Sequence, residues 1–238
     1  MRKINYLIRV KSNFNLIKSY LKHSFFWHFS KKKRKEINKK HKDYLTKKKI
    51  TNDYFSSNAF DWLNILDKFI KKKFNYLEIG SFEGNSALFM AENFKYSHIT
   101  CVDAWKQLYK EDGNSEGYEH LSIKKIEYNF DENIKPYLKK ISKIKMRSDL
   151  FFKKNNHKFD VIYIDGSHFA DDVLSDCRDG WLILKKNGIL ILDDFFWKGY
   201  KKLNENPAFA INKFLSEVSG TYKILKLSKF QLFVQKIN

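Results

Sequence analysis

Proline is almost missing from this chain: among 238 residues there are only Pro136 and Pro207. Both fall near the ends of predicted segments, so no proline-rich linker divides the chain, and no internal repeat does either. Cysteine is equally scarce. Cys101 sits in a predicted strand and Cys177 in a predicted helix, without metal-ligand spacing, which excludes a disulfide scaffold and a zinc module. The pair reads as reduced core thiols of a cytoplasmic protein. No apolar run approaches membrane-spanning length and nothing resembles an A-x-A cleavage site, so neither a transmembrane helix nor a signal peptide is expected.

Acidic residues are also short, 27 Asp and Glu against 46 Lys and Arg, for a net charge of +19. The excess is uneven. Residues 1–50 hold 17 basic side chains against Glu36 and Asp43, a balance of +15, which leaves +4 for the other 188 residues. Two parts follow: a basic, partly helical extension over 1–50 and one α/β domain over 51–238, large enough to need no staples. In the extension Ile4, Leu7, Ile8, Phe14, Ile17, Leu21 and Phe25 fall near one helical face, with Lys3, Lys11, Lys18 and Lys22 among them. Such a helix suits peripheral contact with an inner membrane surface, with Phe25, Phe26 and Trp27 at the headgroup boundary; packing on the domain or on a second subunit suits it equally. The lysines would also suit a nucleic acid or an acidic glycan, although a uniformly lysine-rich composition produces such a segment without any partner. The near-neutral balance of the domain argues against nucleic acid.

What the chain does contain is Tyr76 to Met90, YLEIGSFEGNSALFM. A short apolar run suited to a buried parallel strand ends at Glu78, Gly80 and Gly84 allow a tight turn with close ligand approach, and Ser86 to Ala91 opens a helical face. The loop lacks a third glycine and a following lysine, so it is neither a dinucleotide fingerprint nor a phosphate-binding loop. A cofactor without phosphates fits. S-adenosylmethionine, with its sulfonium, amino-acid end, ribose and adenine, asks for close backbone and carboxylates instead of an anion nest.

Further strands repeat the pattern of strand, acid, loop and helix. His98 to Asp103 ends in an acid roughly 20 residues past the glycine turn, the offset that reaches ribose hydroxyls in doubly wound folds. Ile144 to Met146 precedes Arg147, Ser148 and Asp149; Phe159 to Ile164 precedes Asp165, Gly166, Ser167 and His168. A helix over Asp171 to Leu184, ended by Gly188, leads to a strand Ile189 to Leu192 closed by Asp193 and Asp194. The carboxylates therefore gather on one edge of a parallel sheet. Asn58 to Lys71 reads as a helix covering that sheet, Trp105 to Asp131 as a substrate lid with Tyr109, Tyr118, His120 and Tyr128 as candidate contacts, and Phe195 to Pro207 as the facing wall. Ala208 to Leu215, Tyr222 to Leu227 and Phe230 to Gln235 read as helix, strand and strand.

Taken in order over about residues 55–238, Leu77 to Gly84, Cys101 to Asp103 with Trp105, Tyr163 to His168 and Asp193 to Phe195 resemble the class I S-adenosylmethionine-dependent methyltransferases, in the small-molecule O-methyltransferase-like branch. The resemblance implies a Rossmann-like α/β fold: a mostly parallel seven-stranded sheet, helices on both faces and a C-terminal antiparallel strand pair. It implies that Glu78, Gly80, Ser81, Phe82 and Gly84 surround the methionine part of the cofactor, with Asn85 and Ser86 offering polar groups to its carboxylate. Asp103, with Ala104 and Trp105 beside it, would accept the ribose hydroxyls. Ser148 and Asp149, next to Arg147, would lie by the adenine, and Asp165 with Gly166 would face the sulfonium. Where the family often has a further glycine, this chain has Phe82.

Methyl transfer is an SN2 step whose demands are alignment and removal of a proton. His168, at a strand end on the ligand edge, is the candidate base, with Asp165 beside it; a histidine hydrogen-bonded to its loop is the plainer reading. His157, in KKNNHK, is expected to be exposed. By the same resemblance Asp165, Asp193 and Asp194 form a hard oxygen set suited to Mg2+, which would lower a hydroxyl pKa; alternatively the acid pair caps the next segment. DGSH argues against the NPPY-type loop of nitrogen methyltransferases. The expected acceptor is a sugar or another small hydroxylated metabolite. The alternatives are an RNA methyltransferase and a non-catalytic docking protein that retains the fold.

Overall fold

The computed structural model describes residues 2–106 and 122–238. In chain order the main elements are α1 (Arg2–Arg9), α2 (Phe14–Phe29), α3 (Lys31–Leu45), α4 (Ala59–Ile65), β1 (Phe74–Ile79), α5 (Asn85–Asn93), β2 (Ser97–Asp103), α6 (Ile123–Ile134), β3 (Ile141–Lys145), α7 (Ser148–Lys154), β4 (Phe159–Ile164), α8 (Ala170–Ile183), β5 (Leu184–Leu192), α9 (Pro207–Glu217), β6 (Tyr222–Leu227) and β7 (Leu232–Lys236). The seven strands form one sheet in the order β3-β2-β1-β4-β5-β7-β6. This is the mostly parallel, Rossmann-like arrangement expected, closed by an antiparallel pair.

Two compact units make up the chain, one running from Ser30 to Phe151 and the other combining the segment up to Phe29 with Phe152–Asn238. The basic extension is thus shared: α1 and α2 belong with the C-terminal half, and α3 belongs with the glycine loop. In the Ser30–Phe151 unit β1, β2 and β3 are parallel, with Ile79 opposite Val102 and Asp103 opposite Lys145. Tyr76, Leu77 and Ile79 are buried because a parallel strand is covered on both faces. Trp62 on α4 and Phe89 on α5, both buried, meet Phe55 at ring separations of 4.8 and 5.1 Å. Each such side chain contributes roughly 1.5–3 kcal/mol on burial.

In the other unit β4 and β5 are parallel, while β5–β7 and β6–β7 are antiparallel. The edge strand β6 is covered by α2, whose Ser19 Oγ accepts a hydrogen bond from the Leu227 N–H at 2.9 Å, satisfying one of the donors that a bare edge leaves open. Cys101 and Cys177 are buried free thiols. Among the described residues no helix is long and apolar enough to cross a membrane.

Several boundaries differ from expectation for local reasons. The amphipathic N-terminal helix is two helices, broken where Lys11 takes a φ of +54°. The third strand is Ile141–Lys145 instead of Ile144–Met146, because its register is fixed by pairing with Ile99 to Asp103. The Asn58–Lys71 helix is a shorter α4 flanked by 3-10 turns over Ser56–Asn58 and Asp67–Phe69. Gly188 does not end a helix: α8 stops at Ile183, and Gly188 lies within β5. There Leu184 pairs with Phe159 and Ile189 with Val161, so residues 185–188 bulge from the ladder. A Cβ at Gly188 would stand 2.8 Å from the Lys185 carbonyl oxygen.

Candidate active site

The Ser30–Phe151 unit carries a glycine loop held from every side. Gly80 and Gly84 have φ of +86° and +85°, and Phe82 sits at +47°. That left-handed turn is secured by Asp103 at the end of β2, whose Oδ2 accepts the Ser81 and Phe82 N–H groups at 2.9 Å each and whose Oδ1 accepts that of Trp105 at 2.6 Å. The Trp105 indole N–H donates to the Phe82 carbonyl at 3.0 Å. Burial raises the Asp103 pKa although the three N–H groups oppose it. Gly84 is required twice, for its φ and because a Cβ would lie 3.0 Å from the Phe130 ring. Phe130 in turn packs on Trp105 at 4.8 Å.

Glu83, 1% exposed, anchors the same loop to flanking segments. Its carboxylate accepts from the Thr51 N–H at 2.7 Å, the Thr51 hydroxyl at 2.8 Å and Asn129 Nδ2 at 2.8 Å. Asn133 donates to the Glu83 carbonyl and to the Lys49 carbonyl and accepts the Lys49 N–H. Asn85, at the start of α5, is held by His41 at 2.8 Å and donates to Asp53 at 3.0 Å. Residues 41–53 are therefore structural parts of the loop, a role that their lysine-rich surroundings hide in the sequence.

Glu78 is wholly buried. Tyr76 donates to its Oε2 at 2.6 Å, while Oε1 has no hydrogen-bond partner among the described residues. Burial pushes its pKa up to about 7, against the opposing hydroxyls of Tyr76, Ser86 and Ser81. A buried carboxylate with one oxygen unanswered is costly unless a donor or cation completes it. At the end of β3, Met146 N–H bonds to the Asp103 carbonyl, and Arg147 pairs with Asp149 at 2.9 Å. Ser148 begins α7, so the residues expected near an adenine stand at the same strand-end edge as Asp103. Ala104 lies half-buried between Asp103 and Trp105.

The other unit carries the acids. Ligand atoms of Asp165, Asp193 and Asp194 all lie within 4.8 Å of one another. Tyr163 donates to Asp165 Oδ2 at 2.6 Å and to Asp193 Oδ2, and Gln231 Nε2 reaches the same Asp193 oxygen at 2.7 Å. Burial, then the charge of Asp194, raises the Asp193 pKa to about 6. Burial and the charges of Asp165 and Asp193 push the Tyr163 pKa well up, so the phenol stays a donor. Asp194 has a φ of +56°, a conformation that costs about 1–3 kcal/mol in a non-glycine residue. Its Oδ2 lies 2.6 Å from His168 Nε2, and the His168 ring stacks on Trp197 at 4.7 Å and 16°. Asp165, Gly166, Ser167, Asp193 and Asp194 line one cavity with apolar walls that include Val173, Pro207 and Ile211. Three carboxylates with ligand oxygens this close together are a fitting hard-oxygen donor set for Mg2+.

The structure thus brings together Asp165, Asp193, Asp194 and His168 in one unit and the loop residues with Asp103 in the other. Trp105, expected in a lid, is a buried part of the loop; Tyr128 is exposed on α6, and Tyr109, Tyr118 and His120 lie outside the described residues. His157 is exposed, as its lysine-rich context predicts. Tyr163, Trp197 and Gln231 were not singled out by sequence. Only Tyr163 left a signal, two residues before Asp165 and so on the same strand face.

A protein of Acanthamoeba polyphaga mimivirus, itself uncharacterized, is 26% identical over 174 residues, covering 68% of this chain and 69% of its own. Among solved structures, the MycE methyltransferase of mycinamycin biosynthesis, in complex with Mg, SAH and mycinamycin VI, is similar at a TM-score of 0.58 and 12% identity, over 86% of this chain. This chain covers 54% of MycE, about half its length. An SAH-bound methyltransferase of Podospora anserina is similar at a TM-score of 0.57 and 15% identity, over 85% of this chain and 88% of its own. Residues 77–195, which run from the glycine loop to the acid pair, match the family described as methyltransferase domain, and the chain belongs to that family.

Proposed function

We propose that this methyltransferase moves the methyl group of S-adenosylmethionine to a hydroxyl oxygen of a small molecule, a sugar or another hydroxylated metabolite. The observation that carries the oxygen acceptor is the His168–Asp194 pair, 2.6 Å apart, beside three clustered carboxylates in a part-apolar cavity. A hydroxyl is a weak nucleophile until its proton has somewhere to go. Asp194 orients the imidazole and stabilises its cationic form, so the pair accepts that proton as the new C–O bond forms.

The glycine loop supports the donor assignment. Its backbone approaches closely, it offers no phosphate nest, and Glu78 presents a buried oxygen suited to the ammonium of the cofactor's amino-acid end. Asp103 has three of its acceptor sites taken by N–H groups, so a ribose hydroxyl would use what remains. Asp165, Asp193 and Asp194 would hold Mg2+, which when bound lowers the pKa of an acceptor hydroxyl. Tyr163 and Gln231 keep Asp193 aimed into the cluster.

The experiment is transfer of an isotopically labelled methyl group from S-adenosylmethionine to a panel of hydroxylated acceptors and to matched amines, read by mass spectrometry. Labelled methyl ethers that disappear with His168→Gln support the assignment. Label appearing only on amines, or unchanged ether formation in His168→Gln, overturns it.

A further inference from the structure

The N-terminal helices carry an apolar surface that neither the sheet nor the active site uses. On α2, Leu16 and His23 are buried and Ser19 bonds to β6, which fixes the inward side. Opposite, Phe14, Leu21, Phe25 and Phe29 fall within an arc of about 80° at 100° per residue. They are 76%, 49%, 63% and 76% exposed. Phe25, Phe26 and Phe29 contact one another, with ring centroids 5.2, 5.4 and 6.2 Å apart, so the C-terminal end of the stripe is a continuous aromatic patch. Scattered exposed hydrophobics are ordinary; a contiguous aromatic stripe along one helix marks an interaction surface.

Charge identifies the partner. Residues 1–35 contain eleven Lys or Arg and no Asp or Glu. On α2 itself Lys18 falls inside the apolar arc and Lys22 at its edge. We infer that α2 docks this protein on an anionic lipid bilayer, with the phenylalanine stripe at the level of the headgroups and the lysines against their phosphates. A second copy of the chain fits poorly, since a two-fold interface would set one acid-free lysine segment against another. Duplex nucleic acid would answer the lysines but leave the phenylalanines in water.

The test is vesicle flotation of the full chain with phosphatidylcholine alone and with phosphatidylcholine plus phosphatidylglycerol, alongside sedimentation velocity without lipid. The expected result is binding at least tenfold tighter to the anionic vesicles, weakened at least tenfold by F25S/F29S. That variant should keep its circular dichroism and its affinity for S-adenosylhomocysteine. Three outcomes overturn the inference: no binding to either vesicle, equal binding by F25S/F29S, or loss by F25S/F29S of a dimer that does not bind vesicles.

Discussion

β1 and β4 end on the same device and put it to different uses. Tyr76-Leu77-Glu78 and Tyr163-Ile164-Asp165 each place a tyrosine two residues before an acid, on one strand face, and each hydroxyl donates to that acid at 2.6 Å. On β1 the acid is wholly buried in a loop whose backbone donors are already committed to Asp103. On β4 the tyrosine is shared with Asp193, so that three carboxylates crowd into one cavity. The loop unit is therefore assembled before any ligand arrives, whereas the acid unit stores repulsion that a cation or a proton relieves. On the proposed function, the first unit would supply most of the cofactor's contacts and the second the chemistry.

The sharpest way to break this division is at His168. His168→Gln should lower kcat by about 10²–10⁴-fold, the range of a lost general base, while the affinity for S-adenosylhomocysteine stays within about threefold. A matching loss of affinity would show that the acid unit also binds the donor. Next in size is Gly84→Ala. It forces an alanine to a φ of +85° and a Cβ to 3.0 Å from Phe130, which should cost about 1–3 kcal/mol of stability and weaken cofactor binding; an unchanged melting temperature would mean that the loop is looser than its hydrogen bonds require.

A third prediction uses the Glu78 pKa of about 7, raised from 4.5 by burial. Stability from that shift is fully present below the unfolded value and is lost as pH rises through 7, so the ligand-free protein should become less stable between about pH 5 and 7.5. Asp193, raised to about 6, adds a slope of the same sign, and Glu78→Gln should flatten the curve in part. Because an ammonium favours the ionised carboxylate, cofactor affinity should rise with pH over the same window. Titrations in buffers of different ionisation enthalpy would show proton release on binding, and no release would remove Glu78 from the cofactor site.

The smallest effect marks where the comparison stops. Arg178 and Glu217 form an exposed two-point pair on the C-terminal unit, outside both sites, and Arg178→Ala should leave turnover and cofactor affinity unchanged in a standard assay.

The sequence made the strand ends legible, because a glycine at positive φ and an acid at a carboxyl-terminal strand edge are local requirements. Gly80, Gly84, Asp103, Asp165 and the Asp193–Asp194 pair were visible for that reason. What surrounds them was not. Gln231 reaches Asp193 from a turn 38 residues later, and Trp197 stacks on His168 only after the chain has returned past β5. His41 and Lys49 stood within a lysine-rich stretch that composition marked as an extension. Asn85, expected to face the cofactor carboxylate, is engaged by His41 and Asp53, contacts set by tertiary packing that no local pattern encodes. Gly188 misled because a glycine after a helical pattern reads as a stop, while here it lets β5 bulge.

The most direct measurement is calorimetric titration of S-adenosylhomocysteine into the wild-type protein, Glu78→Gln and Asp193→Ala. The division of labour predicts binding to the wild type, an affinity at least tenfold weaker in Glu78→Gln, about 1.4 kcal/mol, and an affinity within threefold of wild type in Asp193→Ala. No binding to the wild type, or equal losses in the two variants, would contradict it.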